Sequence, residues 1–134
     1  MIRTDGRLLC WGNNDEGSLG VGDFAGRSRP TAVGSHTWAT VTAGGASTCG
    51  RYTDGTRLCW GWNGFGQLGI GDTTSRNAPR RVTGEGYWST VDAGIYHSCG
   101  IRVGGAVYCW GDNSDGRLGT GDAVTPRLRP VLVA

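Results

Sequence analysis

The chain has 134 residues, a length that suits one domain with a modest hydrophobic core. Its 13 basic and 11 acidic side chains give a formal net charge of +2, too balanced for a protein that binds nucleic acid or a membrane surface through charge. Glycine contributes 26 residues while aromatic and β-branched residues stay plentiful, which indicates a folded all-β protein with tight turns and excludes a disordered chain.

The basic residues and the apolar residues give two further indications. All 13 basic residues are arginine, a bias typical of GC-rich bacterial genomes. No apolar run approaches the roughly 20 residues of a membrane span, and no signal-peptide pattern follows Met1. We therefore expect no membrane partner and no nucleic-acid partner.

Several motifs recur in one frame with a period of 49 or 50 residues. Cys-Trp-Gly occurs at 10–12, 59–61 and 109–111, and Leu-Gly-x-Gly-Asp follows each copy at the same offset. Trp-x-x-Val-x-Ala-Gly occurs at 38–44 and 88–94. Because separate motifs agree in one frame, the period indicates a structural repeat.

Each full period contains four predicted strands. In chain order the predicted strands are 8–11, one ending near Val33, 38–43, 48–52, 57–60, one ending near Val82, 88–93, 98–103, 107–110 and one ending near Val131. A proline precedes each of the three strand ends (Pro30, Pro79 and Pro130), and proline suits a strand start or an edge strand. Four short strands in a period of this length are typical of a β-propeller blade.

The copies share Cys-Trp-Gly-x-Asn-x-x-Gly-x-Leu-Gly-x-Gly-Asp, preceded by Leu-x in the first copy, and Pro-x-x-Val follows each of them. Trp-x-x-Val-x-Ala-Gly follows the first two copies and continues as x-x-His-Ser-Cys at 95–99. This pattern resembles the regulator-of-chromosome-condensation repeat family over essentially the whole chain, and the paired cysteines resemble its bacterial, exported members. The sequence departs from the pattern at Ser47, where the other repeat has the family's histidine as His97.

The resemblance implies a seven-bladed β-propeller, of which this chain would hold about two and a half blades. We predict an open, incomplete propeller of four-stranded antiparallel blades, with a half blade at 1–33 and blades at 34–83 and 84–134 that together form one partial domain. Gly100 aligns with Met1, so the chain is expected to begin in mid-blade, as a fragment, a truncated gene product or a piece that completes itself by association. Uncovered blade edges predict self-association.

The opening stretch LCWGNNDEGSLGVGD resembles a ligand loop but its pattern comes back twice, which favours an architectural role. We predict that the asparagine, glycine and aspartate of each copy stabilise turns; these are Asn14, Asn63, Asn113, Gly17, Gly66, Gly116, Asp23, Asp72 and Asp122. The repeated tryptophans Trp11, Trp60 and Trp110 are expected to pack in the core.

Neither a metal nor a nucleotide cofactor is expected. Residues 112–116 suggest a calcium loop, but glycine is fifth instead of sixth. The other copies read Asn-Asn-Asp-Glu-Gly and Trp-Asn-Gly-Phe-Gly. Residues 64–69 match G-x-G-x-x-G without the strand and helix that a dinucleotide site needs.

Catalytic machinery is also scarce. The two histidines are His36, expected to be solvated, and His97, expected to make a structural hydrogen bond. We found no repeated acid–base or nucleophile constellation, so we expect no enzyme, although a site on the propeller axis stays open as an alternative.

The cysteines are predicted to form the disulfides Cys49–Cys59 and Cys99–Cys109. Thr53-Asp54-Gly55 reads as a three-residue hairpin loop, and counting outward from its centre places Cys49 opposite Cys59. Counting outward from Gly104 places the second pair opposite each other, within disulfide reach. Cys10 is left unpaired. The alternative is five reduced, buried thiols; the disulfides would instead indicate an oxidising, extracellular or cell-surface location.

The expected function is a non-catalytic module for protein–protein interaction in an exported or surface bacterial protein. Trp62 and Phe65 are the main candidate contacts, because the equivalent positions in the other repeats are polar, and Arg57 and Tyr96 are weaker candidates. Alternatively, Trp62 folds over a neighbouring turn or packs against a further blade. The alternative function is guanine-nucleotide exchange on a small GTPase, the activity that the family resemblance implies; paired cysteines and the lack of a basic patch disfavour a nuclear role.

Overall fold

The computed structural model describes residues 1–84 and 86–134, and its regular structure is almost entirely β-strand. The ten strands in chain order are β1 (Leu9–Gly12), β2 (Arg27–Ala32), β3 (Trp38–Ala43), β4 (Ser47–Tyr52), β5 (Arg57–Gly61), β6 (Arg76–Arg81), β7 (Trp88–Ala93), β8 (His97–Arg102), β9 (Val107–Gly111) and β10 (Arg127–Leu132). One 3-10 turn covers Ser114–Gly116. In this part of the chain we found no helix long and apolar enough to span a membrane.

The strands form three separate antiparallel sheets. Sheet 1 pairs β1 with β2, sheet 2 has the order β3-β4-β5-β6, and sheet 3 has the order β7-β8-β9-β10. Each four-stranded sheet is a meander of neighbours along the chain, which is the architecture of a propeller blade. The prediction of an all-β, open partial propeller is therefore confirmed, and the strand ends agree with the predicted ones to within one residue. The blade boundaries at 33/34 and 83/84 stay predictions, although both large sheets lie within them.

The repeated prolines lie in the strands at the outer edge of each sheet. Pro30, Pro79 and Pro130 are each the fourth residue of β2, β6 and β10. The register shifts there: Cys59 pairs with Arg80 while Gly61 pairs with Arg76, so the outer strand bulges around its proline. A missing donor is tolerated at such a bulged edge position.

Neighbouring sheets are joined by tryptophans that reach into the preceding repeat. Trp60 and Trp110 are fully buried, and their indole nitrogens donate to the carbonyls of Ser18 and Gln67 at 2.9 Å. A glycine lies under the Trp60 ring: a Cβ at Gly20 would be 2.5 Å from the indole nitrogen. Each sheet therefore packs against the loop of the sheet before it.

The prediction that Trp11 packs in the core is wrong, since 46% of this residue is exposed. Trp60 and Trp110 are covered by loops from the repeat that precedes each of them. Among the described residues, no loop stands in that position for Trp11, so its ring stays open to solvent.

The repeated asparagines make hydrogen bonds to more distant residues than the local turn bonds predicted for them. Asn63 is fully buried; its amide nitrogen donates to the carbonyls of Asp72 and Thr74 at 2.9 and 3.1 Å. Its carbonyl oxygen accepts from the backbone of Leu68 at 3.0 Å. Asn14 and Asn113 make the same set of bonds. Each asparagine thus closes the long loop between the last two strands of its sheet.

Both predicted disulfides are present, in the predicted register. Cys49 lies opposite Cys59 in the β4–β5 ladder and Cys99 lies opposite Cys109 in the β8–β9 ladder. The Cα atoms of each pair are 4.1 Å apart, slightly closer than the separation expected for directly opposed residues. Cys10 carries a free thiol, and burial raises its pKa.

Candidate functional site

The candidate site lies at one end of the sheets, which we call the loop face. The loop face consists of the long loops 13–26, 62–75 and 112–126 together with the short turns 44–46 and 94–96. Backbone bonds tie loops to turns: Trp62 donates to the carbonyl of Ala46, and Asp112 donates to the carbonyl of Tyr96, both at 2.9 Å. The hairpins at 53–56 and 103–106 lie at the opposite end.

Three aromatic side chains meet on the loop face, and we call them the aromatic cluster: Trp62, Phe65 and Tyr96. The ring centroids are 5.7 Å apart for Trp62–Phe65, 5.8 Å for Trp62–Tyr96 and 5.6 Å for Phe65–Tyr96. All three pairs are edge-to-face, the geometry that aromatic quadrupoles favour. Because Tyr96 comes from the turn of sheet 3, the cluster spans two sheets.

The aromatic cluster remains accessible. Phe65 is 36% exposed and Tyr96 42% exposed, while Trp62 is half-buried. The neighbouring Ile95 is 58% exposed and extends the apolar surface. A protein surface of this kind is typical of binding sites.

The loop that carries the cluster is fixed by its own residues. The Trp62 ring lies over Gly64, where a Cβ would be 2.7 Å from the indole. The Phe65 backbone donates to the side-chain oxygen of the buried Gln67 at 3.0 Å. The Trp62 side chain therefore does fold over a turn, as the alternative predicted, but that turn is its own and the rings stay partly exposed.

The equivalent positions in the neighbouring sheets are polar in the structure as well. Asn13 is exposed and its amide donates to Asp15 at 2.8 Å. Asp112 is 5% exposed and accepts bonds from Ser114 and Thr125 at 2.6 and 3.1 Å. The hydrogen bond from Ser114 is the main cause that lowers the pKa of Asp112. The fold therefore accepts polar side chains where sheet 2 has Trp62.

Arg57 does not join the cluster. It begins β5 at the opposite end and is only 3% exposed. Its guanidinium donates to the carbonyls of Trp88 and Ser89 in sheet 3 and, at 3.0 Å, to the hydroxyl of Thr40. Burial lowers its pKa to about 10, so the group is still a cation at neutral pH. We therefore correct the prediction that Arg57 contacts a partner. Its guanidinium links two sheets, and the residue is almost fully buried.

The histidines lie apart from each other. His36 is exposed, as expected, and stacks on Tyr52 with ring centroids 4.4 Å apart. His97 was expected to make a structural hydrogen bond. Its backbone carbonyl accepts from Gly94 at 2.8 Å, and it pairs with Gly111 in the β8–β9 ladder. The described residues contain no group of three or more His, Cys, Asp or Glu side chains that could hold a metal ion.

Sequence reasoning identified two of the cluster residues by comparing repeats but could not place Tyr96 beside them. It missed Ile95 and Gln67 altogether. A signal for Ile95 was available, because it is a large apolar residue in a Gly-rich turn where the equivalent position is Gly45.

The sheets, their tryptophan joints and the Asn-closed loops define this chain as a series of β-propeller blades. It belongs to the family described as the regulator of chromosome condensation (RCC1) repeat, whose model matches residues 5–50, 54–101 and 104–134. A second model of the same repeat matches residues 88–117. The first two matches each end within β4 or β8, so one family repeat supplies strands to two consecutive sheets.

Solved structures of the same architecture superpose closely. Human WBSCR16 matches with a TM-score of 0.86 at 25% identity, over 98% of this chain and 34% of that one. Prp20p from Saccharomyces cerevisiae matches with a TM-score of 0.87 at 21% identity, over 99% of this chain and 35% of that one. Yeast RCC1 (Prp20) bound to Kap60 gives the same TM-score and identity, over 99% and 34%. The chain thus spans about a third of these proteins' length. No curated protein sequence matches significantly.

Proposed function

We propose that this chain is a non-catalytic interaction module that binds a partner protein through the aromatic cluster on its loop face. One observation carries the proposal: three aromatic rings from two sheets contact each other and stay partly exposed. Two of these rings occupy positions that are polar in the neighbouring repeats. The blade therefore does not need them for folding, and buried aromatic anchors dominate binding energy in protein interfaces.

The solved relatives support an interaction role. The yeast Prp20p structure is described together with its binding to Gsp1p and histones, and the other yeast structure is a complex with Kap60. The two structures are of the same yeast protein, and both descriptions concern its contacts with other proteins. The same scaffold with an accessible apolar patch suits such contact here.

The test is capture of partners with the immobilised chain, from extracellular medium and from nuclear extract. We expect specific capture from the extracellular medium, and loss of that capture in the variant Trp62→Asn with Phe65→Asp. The matched control is Tyr87→Asn, because Tyr87 is a 67% exposed aromatic residue at the opposite end. Equal capture by the wild type and the double variant, with both folded by circular dichroism, would refute the proposal.

A second candidate is guanine-nucleotide exchange on a small GTPase. It is favoured by the family membership and by the close superposition on yeast Prp20p. The test is release of a fluorescent GDP analogue from a panel of small GTPases. We expect no acceleration by this chain; acceleration that depends on its concentration would establish the second candidate in place of the first.

We further propose that this protein is an exported or surface protein of a bacterium. The two hairpin disulfides support an oxidising compartment, because such bonds do not persist in a reducing cytosol. The all-arginine basic set supports the bacterial origin. Mass spectrometry of the protein isolated from its native host would test both points, and native protein with five reduced thiols would refute export.

A further inference from the structure

The loops on either side of the aromatic cluster are acidic. Loop residues 13–18 include Asp15 and Glu16, both exposed and without a basic residue among them. Residues 112–118 contain two aspartates and one arginine. The cluster loop, 62–67, has no charged residue. Two charges from the first loop and one uncompensated charge from the third give a formal charge of −3 around an uncharged aromatic centre.

These carboxylates are only partly neutralised within the chain. Arg117 contacts Asp112 at 3.1 Å and Asp115 at 3.7 Å, and the side chain of Asp115 is 94% exposed. Asp15 accepts a bond from the neutral amide of Asn13, and in the described ranges neither Asp15 nor Glu16 forms an ion pair. An exposed pair such as Arg117–Asp115 holds its partners weakly, so the acidic groups remain available.

The three loops follow one another along a continuous surface. The carbonyl of Ser18 in the first loop accepts bonds from Thr48 and Trp60 of sheet 2, each at 2.9 Å. The carbonyl of Gln67 in the second loop accepts bonds from Ser98 and Trp110 of sheet 3 in the same way. Each loop thus sits on the next sheet, and the order along the loop face is acidic, aromatic, acidic.

We propose that the loop face binds an arginine-rich or lysine-rich peptide segment of the partner. A cationic side chain would lie against the aromatic cluster, where the ring quadrupoles attract it. Flanking basic residues would pair with Asp15 and Glu16 on one side and Asp115 on the other. This inference rests on the proposed function, since it specifies the chemistry of the partner that the aromatic cluster binds.

The chain itself carries an example of the contact. The guanidinium of Arg102 lies over the rings of Trp88 and Tyr108, at 4.6 and 4.8 Å from their centroids. That pair of rings is edge-to-face with centroids 5.7 Å apart, the same arrangement as Trp62 and Phe65. A guanidinium therefore fits across two rings of this geometry.

The experiment measures binding of three fluorescent peptides of equal length by anisotropy: one of alternating Arg and Ser, one of alternating Glu and Ser, and one of Gly and Ser. We expect the Arg peptide to bind and the other two not to bind. Raising the salt concentration from 50 to 300 mM should weaken Arg-peptide binding by about tenfold, because salt screens exposed charges.

Two variants separate the aromatic contribution from the charge. Trp62→Asn, which places the residue of the first repeat at this position, should weaken binding of the Arg peptide by about tenfold. Asp15→Asn with Glu16→Gln should weaken it by a similar factor and reduce its salt dependence. The control variant Asp54→Asn changes an exposed acid at the opposite end and should leave binding unchanged.

The outcomes distinguish this inference from the proposed function. If Trp62→Asn abolishes capture of the partner protein but the Arg peptide does not bind, the cluster binds a partner of another chemistry and only the inference fails. If the Arg peptide binds with equal affinity to wild type and Trp62→Asn, the contact is charge alone and the inference is wrong. If both partner capture and peptide binding are unaffected by Trp62→Asn, both proposals fail.

Discussion

Buried asparagine side chains hold the long loop of each repeat. Asn63 links three backbone groups that would otherwise be unpaired inside the loop, those of Leu68, Asp72 and Thr74. A buried polar group that loses its partner costs much more than an exposed one. The asparagine amide can donate twice and accept at once, which no apolar side chain of the same size can do.

Replacing Asn63 with Ala should therefore destabilise the protein strongly. We expect a loss of about 2–3 kcal/mol in the free energy of unfolding, because three buried backbone groups lose their partner. The matched control is Asn13→Ala, an exposed asparagine in the equivalent loop, which should change stability by less than about 0.5 kcal/mol. Urea denaturation followed by tryptophan fluorescence measures both. Equal midpoints for the two variants would contradict this account.

Titration of repeated aspartates should make the stability depend on pH. The pKa of Asp23 is lowered, first by the hydrogen bond from Arg27 and then by that from the backbone of Ala25. The pKa of Asp122 is lowered by the backbone of Val124 and by Arg127. Because these folded-state pKa values lie below the unfolded value of about 3.9, the stabilisation is complete above that value and is lost as pH falls through the folded pKa.

The melting temperature should consequently be level from about pH 7 to pH 5 and fall below about pH 4. The double variant Asp23→Asn with Asp122→Asn keeps an oxygen acceptor for the backbone but cannot titrate, so its acid limb should be shallower. Calorimetry across this pH range makes the comparison. Parallel curves for wild type and variant would show that other groups control the acid sensitivity.

At the scale of the strand and hairpin, local geometry decides the cysteine chemistry. Three-residue loops set the register, and strand alternation then places each cysteine directly opposite its partner. Each disulfide closes a short loop and restricts the unfolded chain, which should stabilise the folded protein by about 2–3 kcal/mol. β1 carries its cysteine at the same position, but Met1 bonds to Leu9 and Ile2 bridges to Leu8, so in the part of the chain that the structure describes no cysteine lies opposite Cys10.

Thiol counting should therefore give one free thiol in denaturant without reductant and five after reduction, since two pairs account for four of the five cysteines. In the native protein the Cys10 thiol should react slowly with iodoacetamide, because burial raises its pKa and limits access. Five thiols without reductant would overturn the pairing. Reduction should also lower the urea midpoint of the wild type, whereas Cys10→Ser should leave that midpoint nearly unchanged.

At the scale of the whole molecule, three open sheets leave surfaces that a closed propeller would cover. β5 and β9 each have strand partners on both sides, whereas β1 has a ladder only with β2. The exposed ring of Trp11 lies beside this open edge, in a groove that it lines with Cys10 and Val41. An uncovered strand edge with an apolar neighbour is a surface for strand addition.

We propose that the chain self-associates through β1, and expect its average mass in sedimentation equilibrium to rise with concentration. Trp11→Ser should reduce this association by removing the apolar contact beside the edge. Phe24→Ser is the matched control, because Phe24 is a similarly exposed aromatic residue in the long loop and should have no effect. A monomer at millimolar concentration would exclude the association.

The amino-acid sequence alone determined the repeat, the strand order within each blade and the disulfide pairing. These features depend on short-range physics: the two-residue alternation of strands, the turn preferences of glycine and asparagine, and the length of a hairpin loop. Comparison of repeats also singled out Trp62 and Phe65, since a position that is polar in two copies and aromatic in the third needs a separate reason.

Contacts between repeats were decided only by the tertiary structure. Arg57 lies near a turn in the sequence, yet carbonyls of the next sheet bury it. Trp11 and Trp60 share a motif, but only Trp60 has a preceding loop over its ring. Tyr96 meets Trp62 from more than thirty positions away, because the packing of one sheet on the next sets that approach. The sequence periodicity predicts the blades. The surface that two neighbouring blades form together depends on how they pack against each other.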